Sequence, residues 1–264
     1  GDMIKQPYQN TTLLHFDLFN KQPEIKAFST TREKGFSQAP YSGLNMGPTT
    51  ADKTEHVTSN HRAVAESIES PGEALFFTRQ VHGNQVVRVD SLACPVPEAD
   101  ALITQSPGIC ICVQTADCVP ILLFDPKNKA VAAVHAGWRG TVQHILVRTL
   151  EAMNRAFGTN PAKVLAGIGP SISPEVYEVG TEVIEQVKSA FPHTWQQLLK
   201  PGISEDKAML DLWRANHQLL SASGVRAHHI EMAQMCTFSN PNLFYSARRD
   251  GAKTGRMASG IVLR

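Results

Sequence analysis

Apolar residues form short runs and alternating patterns along this chain, which predict many β-strands. The longest apolar runs, at 118–124 and 130–134, have the length of buried strands. Between them the sequence DPKNK contains turn-forming residues. We therefore predict an antiparallel hairpin, in which the start of the first strand and the end of the second lie at the same edge of a sheet.

Apolar positions with helical spacing are confined to a few segments. One of these helices is expected to run from about Thr141 to Phe157 and to stop at Gly158. Because strands and helices do not alternate regularly, we predict an α+β fold with mixed β-sheets packed together and flanked by helices. The other predicted helices span 53–68 and lie near 180–191 and 208–222.

Length and composition indicate an ordinary globular protein. The chain has 264 residues, a formal net charge of +1, 19% charged residues and 42% hydrophobic residues. A nearly neutral chain has no general attraction for nucleic acid or an anionic membrane, and no apolar run approaches the ~20 residues of a membrane helix. We expect one domain over residues 25–264, preceded by an N-terminal extension, 1–24, that begins with a short remnant of cloning.

The number of cysteines and the opening residues together predict the cellular compartment of the protein. The chain has an odd number of cysteines, and its opening lacks the basic and then apolar pattern of a signal peptide. We therefore expect reduced thiols and a cytoplasmic location. The five cysteines are Cys94, Cys110, Cys112, Cys118 and Cys236.

Three predicted strands end on a side chain that can bind a metal, next to a turn. These side chains are His82 in RQVHG, Cys118 in TADCVP and His135 in VHAGWRG. The hairpin would bring Cys118 and His135 together, and a Cys/His/His set suits zinc with a fourth position open to water. The alternative is structural, with hydrogen-bonded histidines and a small buried cysteine. Asp117 could orient a ligand histidine, act as an acid or base, or cap a turn.

The sequence GWRG after His135 predicts a second kind of contact. Gly137 and Gly140 allow a tight turn and a close approach of backbone to a ligand. The N–H groups at the start of the following helix, together with Arg139, could hold a phosphate. The alternative is a plain strand-to-helix turn with Trp138 packed on the core.

Two further segments offer polar side chains. Ser42 and Asn45 lie in the glycine-bounded loop YSGLNMG, where they could contact a ligand or only form the turn. The C-terminal segment 245–260 could contact an anion or another subunit, or be a solvated basic loop. Its basic residues are Arg248, Arg249, Lys253 and Arg256.

Seven motifs together resemble the bacterial YfiH family, formerly labelled multicopper polyphenol oxidoreductase or laccase-domain proteins. The resemblance covers roughly residues 25–264 and departs from the family pattern at Ala247, where an aromatic residue is expected. The motifs are, in order, RQVHG, ADALIT, TADCVPILL, VHAGWRG, GPSISPEVYEVG, CT and YSARRDGAKTGR.

The resemblance implies a YfiH-type fold and a catalytic zinc site formed by His82, Cys118 and His135. It also implies purine nucleosides and phosphate as substrates, with phosphorolysis of adenosine, inosine, guanosine or methylthioadenosine and deamination of adenosine. Deamination needs an activated water at adenine C6, whereas phosphorolysis needs a bound phosphate near ribose C1′. We expect Arg139 to bind that anion, with Arg79 and Arg248 as helpers.

Three other functions compete with this interpretation. A copper polyphenol oxidase is disfavoured because the sequence has no His-x-His pair. A metal-independent cysteine hydrolase would use Cys118 as nucleophile and His135 as base. A non-catalytic zinc-binding module for a partner protein would need a fourth protein ligand to close the site.

Overall fold

The computed structural model describes residues 3–71 and 74–264. Its strands form two six-stranded sheets and one three-stranded sheet. In this part of the chain the strands are β1 (Ile4–Tyr8), β2 (Thr11–His15), β3 (Ile25–Thr30), β4 (Leu75–Phe77), β5 (Val86–Arg88), β6 (Ala101–Thr104), β7 (Cys110–Thr115), β8 (Val119–Asp125), β9 (Ala130–Ala136), β10 (Leu165–Ile168), β11 (Glu178–Val179), β12 (Leu199–Pro201), β13 (Ala208–Leu210), β14 (Ile230–Met232) and β15 (Met257–Leu263).

The α-helices of the same residues are mostly short. None of them is both long enough and apolar enough to cross a bilayer. They are α1 (Asp17–Asn20), α2 (Thr54–Ser67), α3 (Trp138–Val142), α4 (Ile145–Phe157), α5 (Thr181–Ala190), α6 (Trp195–Leu198), α7 (Leu212–Ala222) and α8 (Ala247–Asp250).

The two large sheets pack face to face and are covered by helices on their outer sides. The first sheet has the order β1-β2-β3-β15-β7-β4, and the second has the order β14-β10-β8-β9-β6-β5. Ile111 and Ile261 of the first sheet share a core with Phe124 of the second, and each such burial stabilises the fold by about 2 kcal/mol. Helix α2 covers the first sheet, and α4 and α7 cover the second. The predicted α+β fold is confirmed.

The N-terminal residues are part of this sandwich. Strands β1 and β2 extend the first sheet next to β3, and Phe16 and Phe19 are buried with their rings edge to face, centroids 5.6 Å apart. These side chains fill the core between the sheets. The division of the chain into an extension over 1–24 and a domain over 25–264 stays a prediction. Residues 1 and 2 of the expected cloning remnant lie outside the described residues.

The predicted hairpin is present as β8 and β9. The two strands pair antiparallel, with Val119 opposite Ala136 and Asp125 opposite Ala130. The Asp125 carboxylate stabilises the connecting turn by accepting hydrogen bonds from the backbone N–H groups of Lys127 and Asn128, at 3.0 and 3.1 Å. The chain just before β8 and the end of β9 therefore lie at one edge of the second sheet.

The helix expected from Thr141 to Phe157 is divided into α3 and α4. His144 lies between them in the left-handed region, with φ = 59°. Helix α3 packs against α5 and α7, whereas α4 packs against β6 and β9, so the chain has to change direction there. Gly158 ends α4 with φ = 74°, as predicted.

The helix expected near 208–222 is shorter than its pattern indicated. Residues 208–210 form strand β13, which pairs with β11 and β12. The helix α7 begins only after Asp211, whose carboxylate accepts a hydrogen bond from the N–H of Arg214 at 2.9 Å. An N-cap of this kind fixes the first turn of a helix.

Candidate active site

A cavity of about 280 Å³ opens at the sheet edge where β8 begins and β9 ends. It contains all three side chains that the sequence identified as metal ligands. Its walls come from six separate segments of the chain, so only the folded protein forms it. The lining residues are Thr49, Arg79, Gln80, His82, Gln114, Thr115, Ala116, Cys118, His135, Ala247 and Arg256.

The potential ligand atoms of His82, Cys118 and His135 all lie within 4.8 Å of one another. Cys118 directly precedes β8, and His135 is the penultimate residue of β9, so the hairpin register places them side by side. His82 comes from the turn between β4 and β5, and its ring meets the His135 ring edge to face, with centroids 4.9 Å apart. The sequence-predicted cluster is therefore assembled, and it could hold a metal ion.

A buried carboxylate, Asp100, orients one of these histidines. Its Oδ2 lies 2.8 Å from Nδ1 of His135. Because a carboxylate only accepts hydrogen bonds, Nδ1 of His135 carries the proton and Nε2 remains for a metal or a substrate. The His135 N–H also donates to the Asp100 carbonyl at 2.7 Å, so side chain and backbone are aligned together.

The same carboxylate also holds the turn that carries the second histidine. Asp100 Oδ2 accepts the N–H of His82 at 3.0 Å, and its Oδ1 accepts the N–H groups of Val81 at 3.1 Å and Gly83 at 3.0 Å. These contacts fix His82 at φ = 55°. Sequence reasoning missed Asp100, although an acidic residue directly before a buried strand, in ADALIT, was an available signal.

In the metal-free cluster the pKa values of the two histidines are shifted in opposite directions. Burial acts to lower the pKa of His135, but the Cys118 and Asp100 groups outweigh it and raise that pKa to about 9. Desolvation and the neighbouring His135 lower the pKa of His82. Burial acts to raise the pKa of Asp100, but its hydrogen bonds from His135 and Gly83 are together stronger and lower it. His135 therefore holds a proton more firmly than His82.

The glycines after His135 make room for the cluster. A Cβ atom on Gly137 would lie 3.0 Å from Cys118 Sγ and 3.3 Å from His82 Nδ1. A Cβ atom on Gly140 would lie 3.5 Å from the carbonyl oxygens of both Gly83 and His135. The strand-to-helix turn therefore has to pass close behind the metal-capable side chains, which explains why the buried strand ends in glycine.

Arg139 lies apart from the cavity. The helix that follows the turn has only five residues, and Arg139 is exposed with its guanidinium 4.9 Å from the centre of the Trp138 ring. Its positive charge contributes to the lowered pKa of His82, but the burial of His82 has a larger effect on that pKa. The anion-binding role that we expected for Arg139 stays a prediction.

Asp117 faces the C-terminal segment. Its carboxylate accepts hydrogen bonds from Thr237 Oγ1 at 2.7 Å, Ser246 Oγ at 3.0 Å and the Arg248 N–H at 2.7 Å. Burial raises its pKa in spite of these donors. Among the described residues it makes no hydrogen bond to a ligand histidine, so of the three roles considered for Asp117 the anchoring of a turn has direct structural support.

The other predicted substrate contacts are distributed unevenly around the cavity. Arg79 lines it and forms an ion pair with Glu98. Arg248 is exposed outside the lining and donates from Nη1 to the Glu178 carbonyl at 2.9 Å. Ser42 is exposed and contributes its carbonyl oxygen to the Tyr245 hydroxyl at 3.1 Å. Of these three, only Arg79 borders the cavity.

Asn45 is buried, and it organises a loop next to the cavity. Its Oδ1 accepts the N–H groups of Gly47 at 3.0 Å and of Arg256 at 2.9 Å. Arg256 itself lines the cavity, although sequence reasoning placed it only in a basic C-terminal segment. The signal that could have found it is the GR step directly before an apolar strand.

Comparisons with known proteins identify relatives over most of the chain. The model of the family described as "Multi-copper polyphenol oxidoreductase laccase" matches residues 26–264. A protein of Bacteroides thetaiotaomicron named purine nucleoside phosphorylase is 37% identical over 263 residues, covering 95% of this chain and 96% of the relative. A protein named adenosine deaminase RL5, from an unknown prokaryotic organism, is 37% identical over 246 residues, covering 90% of this chain and 93% of the relative.

The fold has a close counterpart among solved structures. The crystal structure of the Bacillus licheniformis hypothetical protein YfiH superimposes with a TM-score of 0.91 at 30% identity, covering 98% of this chain and 99% of that one. This chain belongs to the multi-copper polyphenol oxidoreductase laccase family, whose members include the YfiH proteins. The resemblance inferred from the seven sequence motifs is confirmed.

Proposed function

We propose that this chain is a zinc-dependent purine nucleoside phosphorylase that also deaminates adenosine. The observation that carries the proposal is the His82–Cys118–His135 cluster in the wall of the cavity. The names of the relatives, purine nucleoside phosphorylase and adenosine deaminase, supply the two reactions. The proposed substrates are adenosine, inosine, guanosine or methylthioadenosine, with phosphate as the second substrate of phosphorolysis.

The donor set fits zinc. One thiolate and two imidazoles are a typical zinc ligand set, and three protein ligands leave one position open. Within residues 3–71 and 74–264 the cluster has three members, so a closed structural site is not favoured, and the missing His-x-His pairs disfavour copper oxidase chemistry. The chemistry that bound zinc would supply is Lewis acidity, which can lower the pKa of a water molecule to about 7.

Side chains of the protein orient the metal-capable histidine and the substrate cavity wall. Asp100 keeps the proton on Nδ1 of His135, so that Nε2 faces the cluster. The Gln80 side chain forms one wall of the cavity and is fixed by two hydrogen bonds to the backbone of Gln114, at 2.9 and 2.8 Å. A cavity of about 280 Å³ is close to the lower end of the range for small-molecule sites. A rigid polar wall of this kind can orient a purine without rearranging.

A second candidate function is favoured by a specific contact. His135 is hydrogen-bonded through Nδ1 to Asp100, and it lies beside Cys118, with the potential ligand atoms of the two residues within 4.8 Å of each other. This is the order of nucleophile, base and orienting group found in cysteine hydrolases. A metal-independent cysteine hydrolase would therefore use the same three residues, and it would remain active after complete removal of metal.

An assay of adenosine turnover separates the two candidates. Purified protein is incubated with adenosine with and without phosphate, before and after chelation, and the products are separated by chromatography. We expect inosine in all metal-loaded samples and adenine only when phosphate is present, with both lost in Cys118→Ala. The matched control is Cys94→Ala, which removes another free, half-buried thiol and should keep both activities. Failure of the metal-loaded wild-type protein to convert any purine nucleoside would refute the proposal.

The proposed site depends on a reduced thiol. All five cysteines of the chain are free, and a reducing compartment keeps thiols in that state. We propose a cytoplasmic location on this basis. Detection of the protein in an extracellular or periplasmic fraction would argue against it.

A further inference from the structure

The arginines of the cavity wall and of the segments next to it have different surroundings. Three of them already have a protein partner: a carboxylate, an aromatic ring or a backbone carbonyl. A guanidinium engaged in this way is less available to a substrate anion. The pairs are Arg79 with Glu98, Arg139 with Trp138, and Arg248 with Glu178.

Arg256 also donates to backbone carbonyls, but it lines the cavity, unlike Arg139 and Arg248, and it has no carboxylate partner such as Glu98 of Arg79 within the described residues. It lines the cavity together with Cys118 and His135, and it is half-buried. Its Nη1 donates to the carbonyl oxygens of Thr254 at 2.8 Å and Gly255 at 3.0 Å. Within the described ranges it forms no ion pair, and neither Nε nor Nη2 makes a hydrogen bond. One edge of the guanidinium is therefore held by the backbone, and the other edge remains for a ligand.

The loop that contains Asn45 holds Arg256 in place. Asn45 Oδ1 accepts the N–H of Arg256 at 2.9 Å, and the N–H of Met46 donates to the carbonyl of Arg256 at 3.0 Å. A Cβ atom on Gly47 would lie 2.9 Å from Cγ of Arg256, so the arginine stem lies directly against this glycine. A side chain fixed before binding loses little entropy when it engages a ligand.

The electrostatics of Arg256 favour an anion. Burial lowers the pKa of its guanidinium, and the electrostatic attraction of Cys118 and Asp117 only partly offsets this effect. A buried cation without an ion-pair partner is costly, and an anionic ligand reduces that cost. Guanidinium groups bind phosphate through two parallel hydrogen bonds. The free edge of Arg256 has the shape and charge for that interaction.

We propose that Arg256 forms the phosphate subsite of this enzyme and donates from Nε and Nη2 to inorganic phosphate. The proposal rests on the proposed function. In phosphorolysis a phosphate oxygen forms a bond to ribose C1′ while the bond between C1′ and the purine nitrogen breaks. The electron pair of the broken bond leaves with the purine, which takes up the proton of hydrogen phosphate. Deamination consumes water instead and needs no phosphate, so the two reactions depend on Arg256 differently.

The test compares the two reactions in Arg256→Gln. We expect the KM for phosphate in inosine phosphorolysis to rise about 10- to 100-fold, the usual effect of losing a charge-assisted contact. Adenosine deamination, measured without phosphate, should stay within about twofold of wild type. Arg256→Lys keeps the charge but loses the two-pronged geometry, so its KM should be intermediate. The matched control is Arg148→Gln, an exposed arginine of α4 outside the cavity lining, which should keep the wild-type KM.

Several results would overturn the proposal. One is a KM for phosphate in Arg256→Gln within twofold of wild type. Another is an equal loss of both reactions, which would assign Arg256 to the nucleoside or to the fold. Thermal denaturation with inorganic phosphate gives a separate measurement: phosphate should raise the Tm of wild type but not of Arg256→Gln. If wild type converts no nucleoside, the proposed function fails, and this Tm shift still tests the subsite.

Discussion

Two buried aspartates lie next to the metal-capable cluster, and their carboxylates face different parts of the molecule. Asp100 accepts hydrogen bonds from the ring of His135 and from the turn that carries His82. Asp117 accepts hydrogen bonds from the C-terminal segment instead. The pKa of Asp100 is lowered by its hydrogen bonds in spite of burial, whereas burial prevails and raises the pKa of Asp117. The Asp100 carboxylate orients the two histidines of the cluster, and the Asp117 carboxylate anchors a loop.

The comparison shows that distance along the chain is a poor guide to function at a sheet edge. Asp117 directly precedes Cys118, but the chain bends between β7 and β8, with Asp117 at φ = 119°, and the Asp117 carboxylate faces the C-terminal segment. Asp100 is far from every ligand in sequence. It reaches His135 because β6 pairs with β9, with Ala101 opposite Val134. Pairing between strands therefore decides which carboxylate reaches the cluster.

The largest effect is expected for Asp100→Asn. An asparagine cannot accept all four hydrogen bonds, and its NH₂ group favours the His135 tautomer with the proton on Nε2. In that tautomer Nε2 carries a proton and has no lone pair for a metal, so zinc affinity should fall by about 10- to 100-fold. Competition with a chromophoric chelator measures this affinity.

The matched control for Asp100→Asn is Asp125→Asn. Asp125 is also fully buried and also accepts backbone N–H groups, but it lies in the hairpin turn at the opposite end of β8 and β9. Its variant should bind zinc like wild type. Equal zinc affinity in the two variants would remove the distinction between orienting and anchoring carboxylates.

A smaller loss of zinc affinity is expected for Gly137→Ala. The backbone of Gly137 has φ = −77°, which alanine tolerates, but the new methyl group would lie 3.0 Å from Cys118 Sγ. We expect roughly tenfold weaker zinc binding, because overpacking of this kind costs about 1–3 kcal/mol. Gly158→Ala is the control, since its site has φ = 74° and no neighbour within 4 Å. It should lower stability and leave zinc binding unchanged, and weaker zinc binding in both variants would contradict the steric explanation.

In contrast to Asp100→Asn, the variant Asp117→Asn should change stability rather than zinc affinity. An amide cannot replace a carboxylate that accepts from Thr237, Ser246 and the backbone of Arg248, so stability should fall by about 1–3 kcal/mol. Urea denaturation of the metal-free protein measures this loss, and zinc affinity should stay near the wild-type value. Weaker zinc binding with unchanged stability would mean that Asp117 also orients a ligand.

The smallest effect is expected for His15, a buried histidine whose ring is hydrogen-bonded to a backbone carbonyl rather than to a carboxylate. His15 bonds through Nδ1 to the Ala27 carbonyl at 2.8 Å, and burial lowers its pKa. The unfolded chain therefore binds a proton more readily than the folded one, and stability falls as the pH drops below about 6.5 towards the folded pKa.

His15→Gln removes this titration and keeps a donor for the Ala27 carbonyl. The free energy of unfolding should then depend less steeply on pH between 7 and 5, by at most about 1.4 kcal/mol per pH unit. Denaturation of the metal-free proteins at several pH values measures the two slopes. Identical slopes for variant and wild type would show that His15 titrates normally in the fold.

Local patterns in the sequence predicted the hairpin of β8 and β9 and the meeting of Cys118 with His135, because apolar runs and turn residues encode short-range pairing. The break at His144 was missed because helical periodicity continues through it, and only packing against different partners divides the helix. Asp100 and Arg256 were missed as site residues for a related reason. Asp100 reaches His135, and Arg256 reaches the cavity, through contacts between segments that are distant in the sequence.

The central claim is that the cluster of His82, Cys118 and His135 holds a metal required for turnover of purine nucleosides. The most direct measurement is a zinc titration of fully chelated protein while inosine formation from adenosine is followed. We expect no activity at the start, a linear rise, and a break at one zinc per chain. Full activity of the chelated protein before any zinc is added would contradict it and favour the metal-independent use of Cys118, His135 and Asp100.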